Sequence, residues 1–363
     1  MPVLLKPLSL LLPGGRRMRG GLVPRVPSVA LMLWFWSLAA LPQDGTLIVA
    51  NRTGGSISFI DLPTGTEVAR VPIGPIIPHE VAVSPDGRKA LTGEYGPEDN
   101  HGSHIVLIDV ATASIDARID LGPDSRPHTP LFLPDGRHAV ATMQESDRLA
   151  LVDLDARTVL RTYPTGGRDG HMVRLSPDGS RAYVTSRGAE GTLSVIFLNE
   201  DRAPVVIPTG LGAEGLDVSV DGSEIWVANR REETISVIDA ESLAVVATLE
   251  SRPFSGRIEM GHDGFAIVPN GGGRAAPVPR YVRLWDVSTR TLVTEVPLPG
   301  EPYEGNFGAL IHDGMALVAD PGEGLINVFD LEGLSAHRIL IDNHDAPDGM
   351  AWTPVRVGVM DRD

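Results

Sequence analysis

The chain has no cysteine among its 363 residues. That absence excludes disulfides, thiolate metal sites, the CxxCH attachment of haem c, a cysteine nucleophile and a lipoprotein cysteine anchor. Aromatic residues are scarce at 5%, and beyond residue 40 the tryptophans are Trp226, Trp285 and Trp352 alone, which leaves few platforms for sugars or bases. Positive charge is also short. Lys and Arg total 31 against 47 Asp and Glu, a formal net charge of -16. A sequence-independent nucleic-acid binder needs the opposite sign, so no nucleic-acid partner is expected. There is no G-x-S-x-G, no H-E-x-x-H and no EF-hand loop. The Gly-rich run Asn270-Gly271-Gly272-Gly273-Arg274 leads from a strand into a Pro-containing loop rather than a helix, so no nucleotide motif is read there. What the chain does have is 42% hydrophobic residues, enough for a buried core.

The amino end reads as an address. Lys6, Arg16, Arg17, Arg19 and Arg25 fall in a 40-residue stretch without Asp or Glu, ahead of an apolar run from Val26 to Leu41. Ser37-Leu38-Ala39 supplies small residues for cleavage, and the order basic, apolar, small is that of a secretory signal. Residues 1–40 are expected to be that signal, with 1–17 an upstream mis-start before Met18. Residues 41–363 are then one domain, periplasmic or secreted, with no stable membrane span after cleavage. An uncleaved anchor is the alternative, because Leu33-Trp34-Phe35-Trp36 is strongly apolar.

The remainder is periodic. Asp-Gly pairs recur at Asp86, Asp135, Asp178, Asp221, Asp263 and Asp313, about 45 residues apart. Short apolar strands flank each pair, which is read as a tight hairpin with left-handed turn residues. A third strand follows in seven units: Ile57 to Asp61, Ile105 to Asp109, Leu149 to Asp153, Leu193 to Phe197, Ile235 to Asp239, Val282 to Asp286 and Ile326 to Asp330. A fourth, typified by Val245 to Leu249, closes the unit. Four short strands per repeat without a helical period predict an all-β, seven-bladed β-propeller of four-stranded blades. The chain enters at a second-strand position (Leu47 to Ala50) and leaves at a first-strand position (Gly349 to Pro354), so one blade combines strands from both termini.

Ala182-Tyr183-Val184-Thr185-Ser186, Ile225-Trp226-Val227-Ala228-Asn229, Ile235-Ser236-Val237-Ile238-Asp239 and Val83-Ser84-Pro85-Asp86-Gly87 resemble the YVTN-type β-propeller repeat of secreted bacterial and archaeal proteins. The likeness spans roughly residues 46–354. It implies the fold and an exported location; function stays open, because that family holds surface-layer proteins, binding proteins and relatives of lactonases.

Candidate site residues follow from register. Counting back seven from each turn Asp reaches His79, His128, His171, Glu214, Gly256 and Asn306, and Asp348-Gly349 aligns with Glu214-Gly215. First strands line the channel of a propeller, so three imidazoles and a carboxylate are expected to converge at one mouth. Neutral His nitrogens with one oxygen ligand suit Zn, Mn, Fe or Cu, and the expected cofactor is one such divalent ion, with no haem c. Protons would compete for those imidazoles near pH 6.5. Polar lining of a wet channel needs no ligand and is the competing reading. The insertion from Glu94 to His104, carrying His101 and His104, is placed on the same face, as are His344 and Asp348. Arg126, Arg168 and Arg257 lie in or beside loops entering first strands and are candidates for anion binding. Asp61, Asp109, Asp153, Asp239, Asp286 and Asp330 are read as turn residues, and His262 and His312 as facing the opposite side.

Two function classes result. One is a non-catalytic propeller that binds a small molecule, metal or protein at the His-bearing mouth. The other is an enzyme using that mouth. Similarity to lactonase-like propellers implies catalytic roles for His171, Glu214 and Arg257, although Ser186-Arg187 stands where that pattern has an Asn-Glu pair. Similarity to metal-dependent seven-bladed lyases implies instead a His-bound cation that activates water or acidifies a proton.

Overall fold

The structure, a computed structural model, describes residues 44–358 except 98–99, 272–278, 299, 302, 304, 333, 335–337 and 343–344. The expected signal and His344 lie outside the described residues. Among those residues there is no helix, and hence none long and apolar enough to cross a membrane.

Seven four-stranded antiparallel sheets form a ring. Their first strands are Pro347–Thr353, Val81–Val83, Pro127–Phe132, Gly170–Leu175, Ala213–Val218, Glu259–Met260 and Gly308–His312, and each touches the next around the central axis. Burial explains the residue choice in each blade. Second and third strands such as Ile225 to Asn229 and Ile235 to Ile238 are mostly apolar and buried on both faces, because each blade is covered by a neighbour on either side. Outer strands such as Thr66–Pro72 alternate exposed and half-buried positions, since only their inner face is covered.

The Asp-Gly turns differ from the expected two-residue hairpin in all but one blade. Asp313 and Gly314 both take positive φ, at 49° and 70°, between the paired residues His312 and Met315. In the Ser-Pro-Asp-Gly version only the glycine does so, as at Gly87, with φ 76°. There Asp86 accepts hydrogen bonds from Ser84 Oγ (2.6 Å) and the Arg88 amide (3.0 Å), so its side chain stabilises a longer loop. The Asp residues that end third strands work similarly. Asp109 and Asp239 each accept a bond from the amide three residues on, Thr112 and Ser242, at 3.0 and 2.7 Å.

Both termini build the first blade. Thr46–Asn51 pairs antiparallel with Pro347–Thr353, setting Leu47 opposite Trp352 and Val49 opposite Met350. Trp352 also stacks on His312 (3.9 Å between ring centres), which explains the place of that histidine away from the His-bearing mouth. Removing residues 347–363 should unpair Thr46–Asn51 and expose a sheet edge. The expected result is a lower melting temperature with self-association in sedimentation; a truncated protein that stays monomeric with the parent's melting temperature would contradict closure.

Candidate functional site

The equal register of adjacent first strands brings the three histidines together. His128 lies 5.1 Å from His79 and 3.8 Å from His171, ring centre to ring centre. His171 Nε2 lies 3.3 Å from Glu214 Oε1. Each imidazole has a different environment. His79 places Nδ1 2.9 Å from Asp348 Oδ2, and its side chain is 14% exposed against 1% for the aspartate. His128 is sealed in the middle, with Nδ1 2.9 Å from Thr129 Oγ1 and Nε2 without a hydrogen-bond partner. His171 sets Nδ1 3.3 Å from Gln144 Oε1.

Burial favours the neutral rings. It pushes His128 well below the ordinary imidazole value, helped by the neighbouring His171 and His79. Burial and Arg187 bring His171 down to about 4, although Glu214 pulls the other way. His79 is lowered by burial against the pull of Asp348. The imidazoles are therefore in the ligating form at neutral pH, and their titration lies below the expected pH 6.5. Burial alone would raise Glu214, but His171, Arg230 and Arg187 outweigh it and hold the carboxylate well below its usual range. Asn306 Nδ2 donates to it at 2.6 Å. A Cβ at Gly256, between them in register, would run into Asn306.

The mouth holds a hollow of about 330 Å³, within the usual range for ligand pockets, lined by His79, Tyr95, His171 and Glu214 and by Arg52, Arg126, Arg187 and Arg230. A second hollow of about 510 Å³ shares Arg187, Glu214 and Arg230 with it and has Phe254 in its wall. Four arginines and one carboxylate line the first hollow, with Asp169 behind Arg187 at 3.0 Å and Asp348 3.8 Å from Arg52. Three of the arginines were not singled out by sequence reasoning, yet a signal exists. Arg52, Arg187 and Arg230 each directly follow the last residue of a second strand, at Asn51, Ser186 and Asn229. This is a second ring of equivalent positions beside the first-strand ring.

The other expected residues divide. Asp348 is buried between His79 and Arg257. Arg126 is buried, with its guanidinium 4.3 Å over the Tyr95 ring. Arg168 is 89% exposed and only 4.0 Å from Asp147. Glu94 is engaged by Arg118 and, at 3.1 Å, by His104, while His101 Nδ1 meets the Gly102 carbonyl at 3.4 Å; none of the three lines the hollow. Arg257 turns away from His171 and Glu214, to Glu80 and the Met172 sulfur. Ligand atoms of His79, Glu80 and His128 lie within 4.8 Å of one another, a grouping with Glu80 in place of the expected Glu214.

A third hollow of about 320 Å³ lies lower among the first strands, lined by Glu80, Met172, Arg174, Arg257 and Glu259 among others. Arg174 there faces two carboxylates, Asp217 at 3.1 Å and Glu259 at 3.3 Å. Burial and the charge of Asp217 push Glu259 up to about 8, against the pull of Arg174. The folded protein thus keeps a proton that the unfolded chain, with a Glu value of 4.5, releases, so stability falls as pH rises between these values. The slope is at most about 1.4 kcal/mol per pH unit. Glu259→Gln lacks this penalty. Relative to the parent it should gain stability from pH 5 to pH 8 in urea unfolding; an equal difference at both pH values would refute a protonated Glu259.

Residues 134–259 match the family model described as the Cytochrome D1 heme domain. The chain is 24% identical over 281 residues to Protein NirF of Stutzerimonas stutzeri, covering 71% of this chain and 68% of that protein. It is 32% identical over 71 residues to WD repeat-containing protein 91 of Gallus gallus, covering 20% of this chain and 10% of that protein. Hydrazine synthase of Kuenenia stuttgartiensis superposes with a TM-score of 0.61 at 19% identity, over 70% of this chain and 77% of that one. A protein of unknown function from Desulfotomaculum acetoxidans does so with a TM-score of 0.68 at 16% identity, over 86% and 99%. The two structures carry the fold alone. Together the likenesses support a β-propeller kinship, coarser than the YVTN-type resemblance.

They also overturn the cofactor expected from sequence. The heme-domain match over residues 134–259 points to haem, not to a lone Zn, Mn, Fe or Cu ion. Lack of cysteine excludes only thioether attachment, whereas a haem held by an imidazole needs none. The expected fourth ligand is also engaged otherwise, since Glu214 is bonded by Asn306 and paired with Arg187 and Arg230.

Proposed function

We propose that this chain is an exported propeller that binds a haem of the d1 type at the His-bearing mouth. The observation that carries the reading is the composition of the hollow: four arginines and one carboxylate beside an imidazole whose Nδ1 is held by a buried aspartate. A haem joins a metal that an imidazole can hold to acidic side arms that guanidinium groups recognise. The donor set fits both ends. His79 is the ring best suited to the iron, because it lines the hollow with the Asp348 carboxylate 2.9 Å from its Nδ1, as a carboxylate commonly stands behind a ligating histidine. Arg52, Arg187 and Arg230 would meet the acidic arms. When bound, the group supplies an iron centre for redox and small-ligand chemistry.

The protein's own part is to keep the rings neutral and the arginines in place. Glu214 does the latter: it accepts from Asn306 and pairs with Arg187 and Arg230 at 3.5 and 3.3 Å, spacing two guanidinium groups across the hollow. The hydrolase reading gains no support from the geometry, because the arginine of its expected His171, Glu214 and Arg257 set points into the lower cavity. Export rests on the order of residues 1–40 and is tested by amino-terminal sequencing of the mature protein.

Ferric haem added to protein without a His-tag should give a saturable absorbance change at one equivalent. His79→Ala should abolish the imidazole-ligated spectrum, and Arg187→Ala should weaken binding about tenfold, the loss expected for one charge-assisted contact. Equal spectra for the parent, His79→Ala and His262→Ala would refute the site, since His262 lies in a separate hollow.

A further inference from the structure

Tyr95 has no part in the register that produced the His ring. It belongs to the insertion that follows the second strand Lys89–Gly93, and it is 7% exposed. Yet its ring meets two of the three imidazoles edge to face, His79 at 4.5 Å and 71° and His128 at 4.6 Å and 85°. Such pairs are attractive because the positive edge of one ring meets the negative face of the other. On the tyrosine itself lies the Arg126 guanidinium, 4.3 Å from the ring centre, whose Nη2 donates to the Gly96 carbonyl at 3.3 Å. Arg126 therefore grips both the ring and the backbone that carries it. Its own backbone is in the left-handed region, with φ 45°, immediately before Pro127. A proline disfavours helical conformations in the residue before it, and a non-glycine residue at positive φ is strained, so neighbouring contacts must hold this one in place.

We infer that Tyr95, backed by Arg126, is the positioning residue for His79, setting the ring plane that the proposed haem iron would meet. The inference rests on the haem reading for its purpose but not for its geometry. Asp348 Oδ2 stands 2.9 Å from His79 Nδ1, a close charge contact at one edge of the ring that does not by itself set the ring plane. Tyr95 does so by closing on the ring from the side. The hydroxyl has no part in this, so phenylalanine should serve equally, while alanine should not. Arg126→Lys keeps the charge but lacks the flat guanidinium that stacks on the ring, and it should behave as an intermediate.

The test compares the full mature chain with Tyr95→Phe, Tyr95→Ala and Arg126→Lys, each first checked for an unchanged melting transition. Without haem, the Nδ1 proton of His79 is followed by NMR. It should be a slowly exchanging signal in the parent and in Tyr95→Phe, and broadened or lost in Tyr95→Ala. With ferric haem, Tyr95→Ala should bind about fivefold more weakly, the cost of ordering one freed side chain on binding, and give a heterogeneous electron paramagnetic resonance signal. An unaltered His79 proton in Tyr95→Ala overturns the inference. If the parent binds no ferric haem, the haem reading falls while the NMR comparison still decides the role of Tyr95. If Tyr95→Phe fails as Tyr95→Ala does, the hydroxyl and not the ring is the active part, and the positioning role is refuted.

Discussion

Everything at the mouth depends on closure of the ring by Pro347–Thr353 against Thr46–Asn51. Once the last strand is seated, seven first strands stand around one axis, and residues of equal register face one another at equal depth. Asp348 arrives on that closing strand and meets His79 from the next blade at 2.9 Å. The residue that orients a proposed ligand is thus delivered by the same pairing that completes the fold. Stability and site geometry share one cause.

The second determinant is how charge is distributed along the axis. An acidic chain collects four arginines around one hollow, because three of them occupy the position just past a second strand and the fourth is pinned by Tyr95. Below, the balance reverses: Arg174 and Arg257 face Glu80, Asp217 and Glu259. Two fixed positive charges cannot neutralise three buried carboxylates, and burial raises Glu80 to about 7 and Glu259 to about 8.

Haem and a bare cation ask for overlapping donors, which is why the cofactor was misjudged from sequence. Both take neutral imidazole, and a ring of His79, His128 and His171 fits either. The feature that separates them is a set of guanidinium groups for acidic arms, and Arg52, Arg187 and Arg230 share only the position just past a second strand. The four-residue set that included Glu214 assumed that equal register means equal availability. In the folded chain Glu214 is held by an asparagine and two arginines from other strands and loops.

By itself the sequence determined the number of blades, their strand count, the blade shared by the termini and the meeting of His79, His128 and His171. These follow from spacing along the chain, since hydrophobic alternation and Asp-Gly punctuation are local signals and ring symmetry turns equal register into proximity. The tertiary structure alone decided which way each side chain on that ring turns. Arg257 sits one residue past the ring position Gly256 and points into the lower cavity; Arg187, one residue past a second strand, points into the upper one. Only the packed blades decide this, because strand twist and the space left by a neighbour set the direction. Tyr95 was hidden for a related reason: an insertion has no register, and its place beside two imidazoles depends on contacts with Ile77, Gly96 and Arg126 that no repeat encodes.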